Sequence, residues 1–400
     1  MNFLVIFTLV LAGMSILSGC NPGDDNIEPD DNGFAEWPDG LDVYVAGFEE
    51  ITQGNPAARL WKNGEVQTFA GNSGAVARLS RTAIISSEAR SVFVSGGDAY
   101  VAGWDIIVTG DNWYISGEQV ITNGDEVISH ARLWKNGEAQ HLDGGTLSDQ
   151  AISVFVSGED VFVLGREALQ STPFPGRWAF KVWKNGEVQV FYEGLSNNCQ
   201  VSSLFVSDGN VYVAGSRTTQ SGSQATLWKN GVAVELANES PFSYANFVFI
   251  SGNDVHVAGY ARNNYLVQGT NVIASDALVW KNGDVEKLTN GPQNSQAHSI
   301  YVSDAGDVYV AGYDGDNAKL WKNGIVQDII DDKDAKMYLS VFQKDDDLYL
   351  AGYVNATQAV PPGSGIIPLT YYKATLWKNG KRLNLKVGER NSRAFSVFVE

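Results

Sequence analysis

The side chains that could serve as an acid, a base or a metal ligand are few and scattered. The chain contains two cysteines, Cys20 and Cys199, and four histidines, His130, His141, His256 and His298. Its acidic clusters at 314–316 and 331–334 lack the ligand spacing of a calcium loop. No HExxH, GxSxG, P-loop or GxGxxG motif stands in the strand, turn and helix context that it needs. We therefore predict no catalytic residue, no cofactor and no metal site.

Three repeated motifs must position any site that the chain has. Trp-Lys-Asn-Gly occurs seven times, beginning at Trp61, Trp134, Trp183, Trp228, Trp280, Trp321 and Trp377. A motif of the DVYVAG type precedes each copy and ends at Gly47, Gly103, Gly165, Gly215, Gly259, Gly312 and Gly352. A third motif, of the SVFVSG type, precedes every DVYVAG copy except the first, and the chain ends in SVFVE at 396–400.

These motifs predict four short β-strands in each repeat, because they are rich in β-branched and aromatic residues and are bounded by turn residues. Asn-Gly is the strongest short hairpin signal. Four strands in a period of about 40 to 50 residues are typical of a propeller blade. We predict an all-β, seven-bladed β-propeller of four-stranded antiparallel blades over 41–400. The C-terminal strand should pair with the first blade and close the ring, and each repeated Trp should pack between blades.

From about Leu41 to Glu400 the chain resembles bacterial β-propeller repeat proteins whose units carry a DVYVAG-type strand. More specifically, it resembles lipid-anchored surface propellers with a Trp-Lys-Asn-Gly turn. The resemblance implies the fold and a lipid anchor. It leaves the activity open, because propellers host binding modules and several kinds of enzyme.

The N-terminal region has the pattern of a lipoprotein. Phe3 to Leu17 is an apolar run of the length of a signal-peptide core. The following LSGC resembles a lipobox, so we predict a signal peptide at 1–19 and acylation, with palmitate among the chains, at Cys20. Residues 20–40 are acidic and predict a flexible tether. We expect a lipid-anchored monomer at the outer membrane, and the sequence leaves open whether it faces the cell surface.

The charge of the chain excludes one class of partner. The 400 residues carry 46 acidic and 28 basic side chains, a formal net charge of −18. Nucleic acids and anionic lipid surfaces are bound by clustered Lys and Arg, so we predict no nucleic-acid partner. The membrane contact should run through the lipid at Cys20 alone.

Two rings of non-repeated residues are candidate binding positions on the rim that bears the variable loops. The first follows the glycine of each DVYVAG motif and includes Trp104, Tyr260, Tyr313 and Tyr353. Such aromatic faces stack on the C–H faces of sugar rings, or alternatively cap the gaps between blades. The second lies at the entry to the first strand of each blade and includes Arg90, Asn246 and His298. These side chains could converge on a polar or anionic group, or line an irregular water-filled channel mouth.

These patterns favour a binding module, with a glycan or another envelope protein as the ligand. An alternative is a carbohydrate-active enzyme of the polysaccharide lyase type, in which His298, Tyr260 and Arg90 would act as base, acid and charge neutraliser. A further alternative is a docking scaffold for a protein partner that does not bind sugars.

Overall fold

The structure is a computed structural model. It describes residues 34–52, 55–69, 78–79, 82–109, 114–116, 119–121, 126–140, 142, 148–168, 178–192, 199–237, 240–327, 332–358 and 367–400. The predicted signal peptide, the acylated Cys20 and most of the tether lie outside these residues. Within the described residues, no helix has the length and apolar character needed to cross a membrane. Phe34–Glu400 form one compact unit.

The described residues form strands almost throughout. In chain order the strands are β1 (Val43–Thr52), β2 (Asn55–Lys62), β3 (Glu65–Gln67), β4 (Arg78–Leu79), β5 (Thr82–Ser95), β6 (Asp98–Thr109), β7 (Tyr114–Ser116), β8 (Gln119–Ile121), β9 (Glu126–Lys135), β10 (Glu138–Gln140), β11 (Asp149–Ser157), β12 (Asp160–Ala168), β13 (Trp178–Lys184), β14 (Glu187–Tyr192), β15 (Cys199–Ser207), β16 (Asn210–Thr219), β17 (Gly222–Lys229), β18 (Val232–Glu235), β19 (Ser243–Ser251), β20 (Asp254–Val267), β21 (Thr270–Lys281), β22 (Asp284–Lys287), β23 (Ser295–Val302), β24 (Val308–Asp314), β25 (Asn317–Lys322), β26 (Ile325–Val326), β27 (Ala335–Lys344), β28 (Asp347–Thr357), β29 (Thr370–Lys378), β30 (Lys381–Leu383) and β31 (Ser392–Val399).

These strands build seven antiparallel blades in a ring, which confirms the predicted fold. From the inside outward, blade 1 is β31, β1, β2 and β3, and blade 2 is β5, β6, β9 and β10, with β4 added beside β5. Blades 3 to 7 are β11 to β14, β15 to β18, β19 to β22, β23 to β26 and β27 to β30. Strands β7 and β8 form a separate hairpin between β6 and β9. The innermost strands surround the axis of the ring.

The repeated Trp side chains form the seams between blades. All seven are among the largest fully buried side chains, none more than 1 % exposed. Each packs against residues of the preceding blade; Trp134 of blade 2, for example, lies in one cluster with Tyr44 and Leu60 of blade 1. Trp61 contacts Tyr349 and Leu376 of blade 7 in the same way across the join between the two chain ends. Because truncating a buried Trp costs about 3–5 kcal/mol, these seams hold much of the stability of the ring.

The Lys and Asn residues of Trp-Lys-Asn-Gly bind the Asp of the DVYVAG motif, and we call this set of three side chains the clasp. In blade 2, Asn136 and Gly137 both have positive φ, as a type I′ turn requires. The Asn136 amide donates to Asp98 (2.7 Å), and its Oδ1 accepts the Ala99 N–H (2.9 Å). Lys135 forms an ion pair with the same Asp98 (2.7 Å). The clasp recurs in the other blades, with Asn210 replacing Asp in blade 4, so both motifs are structural.

Each innermost strand contains a β-bulge opposite the glycine of DVYVAG. In blade 5 the register shifts between Ala245 and Phe247, so that Asn246 has no partner on β20. The shift brings the Tyr244 carbonyl oxygen within 2.0 Å of where a Cβ on Gly259 would lie. The equivalent glycines of the other six blades face an equally close carbonyl oxygen, at 1.9 to 2.3 Å. The bulge therefore explains why this position is glycine in all seven repeats.

We expect Gly259→Ala to lower the free energy of unfolding by about 2 kcal/mol or more, because the methyl group would overlap a backbone oxygen that cannot move without breaking the strand pairing. Chemical denaturation measures the change. Gly291→Ala is the matched control, since its methyl group would meet no atom within 4 Å. Equal stability of the two variants would contradict the role assigned to the bulge.

The C-terminal strand closes the ring, as the sequence predicts. Strand β31 pairs antiparallel with β1, from Val43 opposite Val399 to Glu49 opposite Ser392. Asp42 and Glu400 exchange two further backbone hydrogen bonds, of 2.9 and 3.1 Å. The innermost strand of blade 1 thus comes from the opposite end of the chain to its other three strands.

Deleting Ser396–Glu400 should sharply lower the melting temperature. The deletion removes Val397 and Val399, which are 4 % and 2 % exposed, and uncovers an edge of β1; the loss should be on the order of 5 kcal/mol. Circular dichroism during heating measures it. Removal of the exposed Glu400 alone, which leaves the buried valines in place, should have a much smaller effect. An unchanged melting temperature in the longer deletion would show that the ring is held closed elsewhere.

Candidate functional site

A cavity of about 370 Å³ lies on the axis of the ring, lined by the innermost strands of all seven blades. At one end its lining begins with Trp104 in the middle of β6 and with Gln150 and Arg166, which lie near strand ends on the side of the loop-bearing rim. At the other end it stops at a ring of aromatic side chains. The cavity is therefore a recess of the loop-bearing rim, where we expect the site.

The aromatic ring is continuous. One aromatic residue from each innermost strand contacts the next, with ring centroids 4.6 to 5.3 Å apart. Its members are Phe93, Phe155, Phe205, Phe249, Tyr301, Phe342 and Phe398. Tilted aromatic pairs at these distances are favourable beyond the area that they bury. All seven side chains line the cavity, at the end away from the loop-bearing rim. The repeated Phe of SVFVSG signals this ring in the sequence, although we did not predict it.

The side chains nearer the loop-bearing rim come from the bulges. The residue that each bulge leaves unpaired lines the cavity in all seven blades, because a bulge redirects the side chain that it carries. These residues are Arg90, Ile152, Ser202, Asn246, His298, Leu339 and Phe395. The structure thus brings the predicted Arg90, Asn246 and His298 into one cavity. Around the axis, the polar Ser202, Asn246 and His298 follow one another in blades 4, 5 and 6. Arg90 in blade 2 lies between the apolar Phe395 and Ile152.

Arg90 lies between two aromatic rings. Its guanidinium carbon is 4.2 Å from the centroid of Phe395 and 5.1 Å from that of Trp104. Its ion pair with Glu88 is a single contact of 3.3 Å, and 37 % of its side chain stays accessible. Burial lowers the pKa of Arg90, and the nearby positive charge of Arg393 acts in the same direction. The guanidinium is held by stacking, and Arg90 lines the cavity.

Two further arginines approach this position. Arg166 lines the cavity, stacks on Trp178 at 4.5 Å and donates two hydrogen bonds to the Gln150 side-chain oxygen, of 2.7 and 2.9 Å. Burial and the charge of Arg90 lower its pKa. Arg393 lies over Tyr353 at 5.0 Å, and its Nε is buried without a hydrogen-bond partner in the described part of the chain. Sequence reasoning missed both arginines as site residues, because their proximity depends on the curvature of the ring.

His298 is a neutral group within the cavity. Burial lowers its pKa to about 4. Its ring stacks on Tyr313, with centroids 5.7 Å apart. The Nε2 atom is buried and finds no hydrogen-bond partner among the described residues. A neutral imidazole can donate or accept one hydrogen bond at each nitrogen, so His298 suits a hydroxyl group better than an anion.

Asn246 has a structural task at the seam between blades 5 and 6. At six of the seven seams, a serine of one innermost strand accepts the backbone N–H of the next strand at 2.9 to 3.3 Å. Blade 5 has Phe247 where the other blades have this serine. Asn246 instead donates from its side-chain amide to the Ala297 carbonyl oxygen of blade 6, at 2.8 Å. Its second amide N–H and its side-chain oxygen remain available for a ligand.

The four predicted aromatic residues lie in different surroundings. Trp104 lines the cavity, whereas Tyr260 stacks on Tyr244, with centroids 4.7 Å apart and an interplanar angle of 18°. Tyr313 supports His298. Tyr353 is 8 % exposed and packs edge-on against Tyr372. Of these four, Trp104 has the clearest access to a ligand in the cavity. In the described part of the chain, no group of three or more His, Cys, Asp or Glu side chains could hold a metal ion.

No protein-family model and no curated protein sequence matches the chain. Among solved structures it is similar to a protein of unknown function from Dyadobacter fermentans, with 12 % identity and a TM-score of 0.40 over 75 % of this chain and 98 % of that one. It is also similar to an exo-1,5-α-L-arabinanase from a bovine ruminal metagenomic library (9 %, TM-score 0.32, 72 % and 94 %). A GH43_12 protein from a capybara gut metagenome shares 9 % identity (TM-score 0.30, 90 % of each chain). At such identities and TM-scores, these likenesses carry no argument about function.

We predict that His298 stays neutral from about pH 5 to 8, because its pKa in the folded protein is about 4 whereas an unperturbed histidine has a pKa near 6.5. The unfolded chain binds the extra proton between these values, so the stabilising contribution of neutral His298 is present above about pH 6.5 and is lost as the pH falls toward 4. NMR titration of the imidazole carbons tests this, with His298→Gln assigning the signal. A midpoint near 6.5 would contradict the buried setting.

Proposed function

We propose that this protein is a binding module that takes a glycan into the cavity at the loop-bearing rim. The observation that carries the proposal is the pairing of Arg90, stacked between Trp104 and Phe395, with an opposite arc of neutral hydrogen-bonding side chains. Carbohydrates present both an apolar C–H face and a set of hydroxyl groups. The cavity offers a surface for each.

The size and shape of the cavity fit this class of ligand. Ligand pockets in proteins usually occupy about 300–1,000 Å³ and combine apolar walls with a few convergent polar groups. The cavity, of about 370 Å³, falls within this range. Because the bulge residues lie on the side of the loop-bearing rim, a longer glycan would extend toward that rim.

The chemistry of the site favours binding over catalysis. In a lyase, His298 would have to accept a proton, but burial lowers its pKa to about 4 and makes it a weak base. Tyr260 stacks on Tyr244, and burial raises its pKa to about 12. A tyrosine with this pKa holds its proton too tightly to act as an efficient acid near neutral pH. The geometry thus gives no specific support to the polysaccharide lyase that the sequence left open.

The cellular setting of the proposal rests on the sequence. The LSGC motif at 17–20 and the acidic residues that follow it support an anchor at Cys20 in the outer membrane, with the propeller as a soluble head. An envelope glycan would lie within reach of such a head. A protein partner docked on the same rim is the competing outcome of the experiment below.

Trp104→Ala should weaken binding about tenfold or more for any glycan that the protein binds, because the substitution removes an aromatic wall of the cavity and one of the two rings that hold Arg90. The ligand is first found on an array of bacterial and plant polysaccharides, and affinities are then measured by calorimetry. Phe242→Ala is the control, since Phe242 is 43 % exposed and does not line the cavity.

Four results are informative. Loss of affinity in Trp104→Ala and full affinity in Phe242→Ala would support the cavity as the site. Equal affinities in the wild type, Trp104→Ala and Phe242→Ala would show that the glycan binds outside the cavity. No binding on the array, together with capture of one envelope protein from an extract, would replace the glycan with a protein partner. New absorbance from unsaturated sugars, on incubation of the protein with a polysaccharide, would support the lyase hypothesis instead.

A further inference from the structure

We infer that the saccharide bound in the cavity carries an oxyanion, a carboxylate or a sulfate ester, which is recognised by Arg90 and Arg166. This inference rests on the proposed function and names the class of its ligand. It depends on where the charges of the site lie, on how each guanidinium is held, and on what the opposite wall offers.

The entrance of the cavity concentrates positive charge. Arg90 and Arg166 both line the cavity and interact electrostatically, and Arg90 also interacts with Arg393, which lies outside the lining. Glu88 is the one carboxylate that pairs with Arg90 within the described residues. Like charges in a partly buried site repel, and a bound anion removes that repulsion. This arrangement occurs in a protein whose net charge is −18, so it is not a consequence of a generally basic surface.

Stacking and neutral hydrogen bonds hold these guanidinium groups in position, and Glu88 offsets the charge of Arg90 only in part. Arg166 is fixed by the neutral Gln150 oxygen and by stacking on Trp178. Arg90 is held between two aromatic rings, and its carboxylate partner makes only a single contact of 3.3 Å. A planar guanidinium fixed in this way is preorganised to donate two parallel hydrogen bonds to a carboxylate or sulfate.

The opposite arc of the cavity completes the recognition of a sugar acid. Ser202, Asn246 and His298 carry no charge at neutral pH and present hydroxyl, amide and imidazole groups. They suit the hydroxyl groups of a sugar and offer no second charge for a cation. A cationic or zwitterionic ligand would place its positive charge beside the arginines and is disfavoured.

The test compares matched saccharides on the purified protein. Polygalacturonate, alginate, hyaluronan and dextran sulfate are each measured against a neutral counterpart, such as methyl-esterified polygalacturonate or unmodified dextran. We expect an acidic member to bind at least tenfold more tightly than its neutral counterpart. Replacing both arginines, in Arg90→Gln/Arg166→Gln, should remove that preference. The carboxylate and sulfate members distinguish the two possible anions.

Arg217→Gln is the matched control, because it removes the same charge from a residue that pairs with Glu235 outside the cavity. If the double variant does not fold, Arg166→Gln alone and the loss of affinity with rising salt provide the same test. A neutral ligand that binds as tightly, or an acidic one that binds the double variant as well as the wild type, would overturn the inference and leave the proposed function intact. Absence of all saccharide binding would overturn both.

Discussion

The cavity depends on a single backbone constraint, the bulge in each innermost strand opposite a glycine. Without the bulge, the side chains of that strand would alternate regularly between the two faces of the blade, both of which are covered by neighbouring blades. The extra residue breaks this alternation and turns one side chain per blade toward the axis. The glycine is needed because the bulge carries a backbone oxygen to where its Cβ would lie. Seven bulges thus produce a ring of seven positions that have no partner in the strand pairing of their own blades.

This constraint separates the residues that hold the scaffold from those that can vary. The residues that recur from repeat to repeat have structural roles. The Trp side chains fill the seams between blades, and the Asp, Lys and Asn side chains form the clasp. The serines join neighbouring innermost strands. The bulge positions carry Arg, Ile, Ser, Asn, His, Leu and Phe, which share no chemical property. Variation in a set of equivalent positions on a symmetric scaffold indicates freedom from structural demand. Asn246 is the informative exception, because the serine missing from its own blade gives it a seam contact to make.

The sequence was sufficient to predict the blades, the type I′ turns, the packing of Trp61 and its equivalents, and the closure by β31, because each depends on local chemistry repeated seven times. It also located Arg90, Asn246 and His298 as neighbours of the channel, since all three occupy one position of the repeat. It could not show that Arg166 and Arg393 approach Arg90, or that Tyr353 is buried against Tyr372. Those relations depend on curvature and on side-chain packing between blades, and no spacing along the chain encodes them.

The acidic composition of the chain does not oppose an anionic ligand in the cavity. Exposed carboxylates are screened over about 8 Å at physiological ionic strength, and many of them are already paired with lysines in the clasps. Inside the cavity the effective dielectric constant is lower, so the nearest charges dominate. There the guanidinium groups outnumber the carboxylate of Glu88. The surface acids act at longer range, where they slow the approach of a polyanion in low salt without changing the contacts it makes once bound.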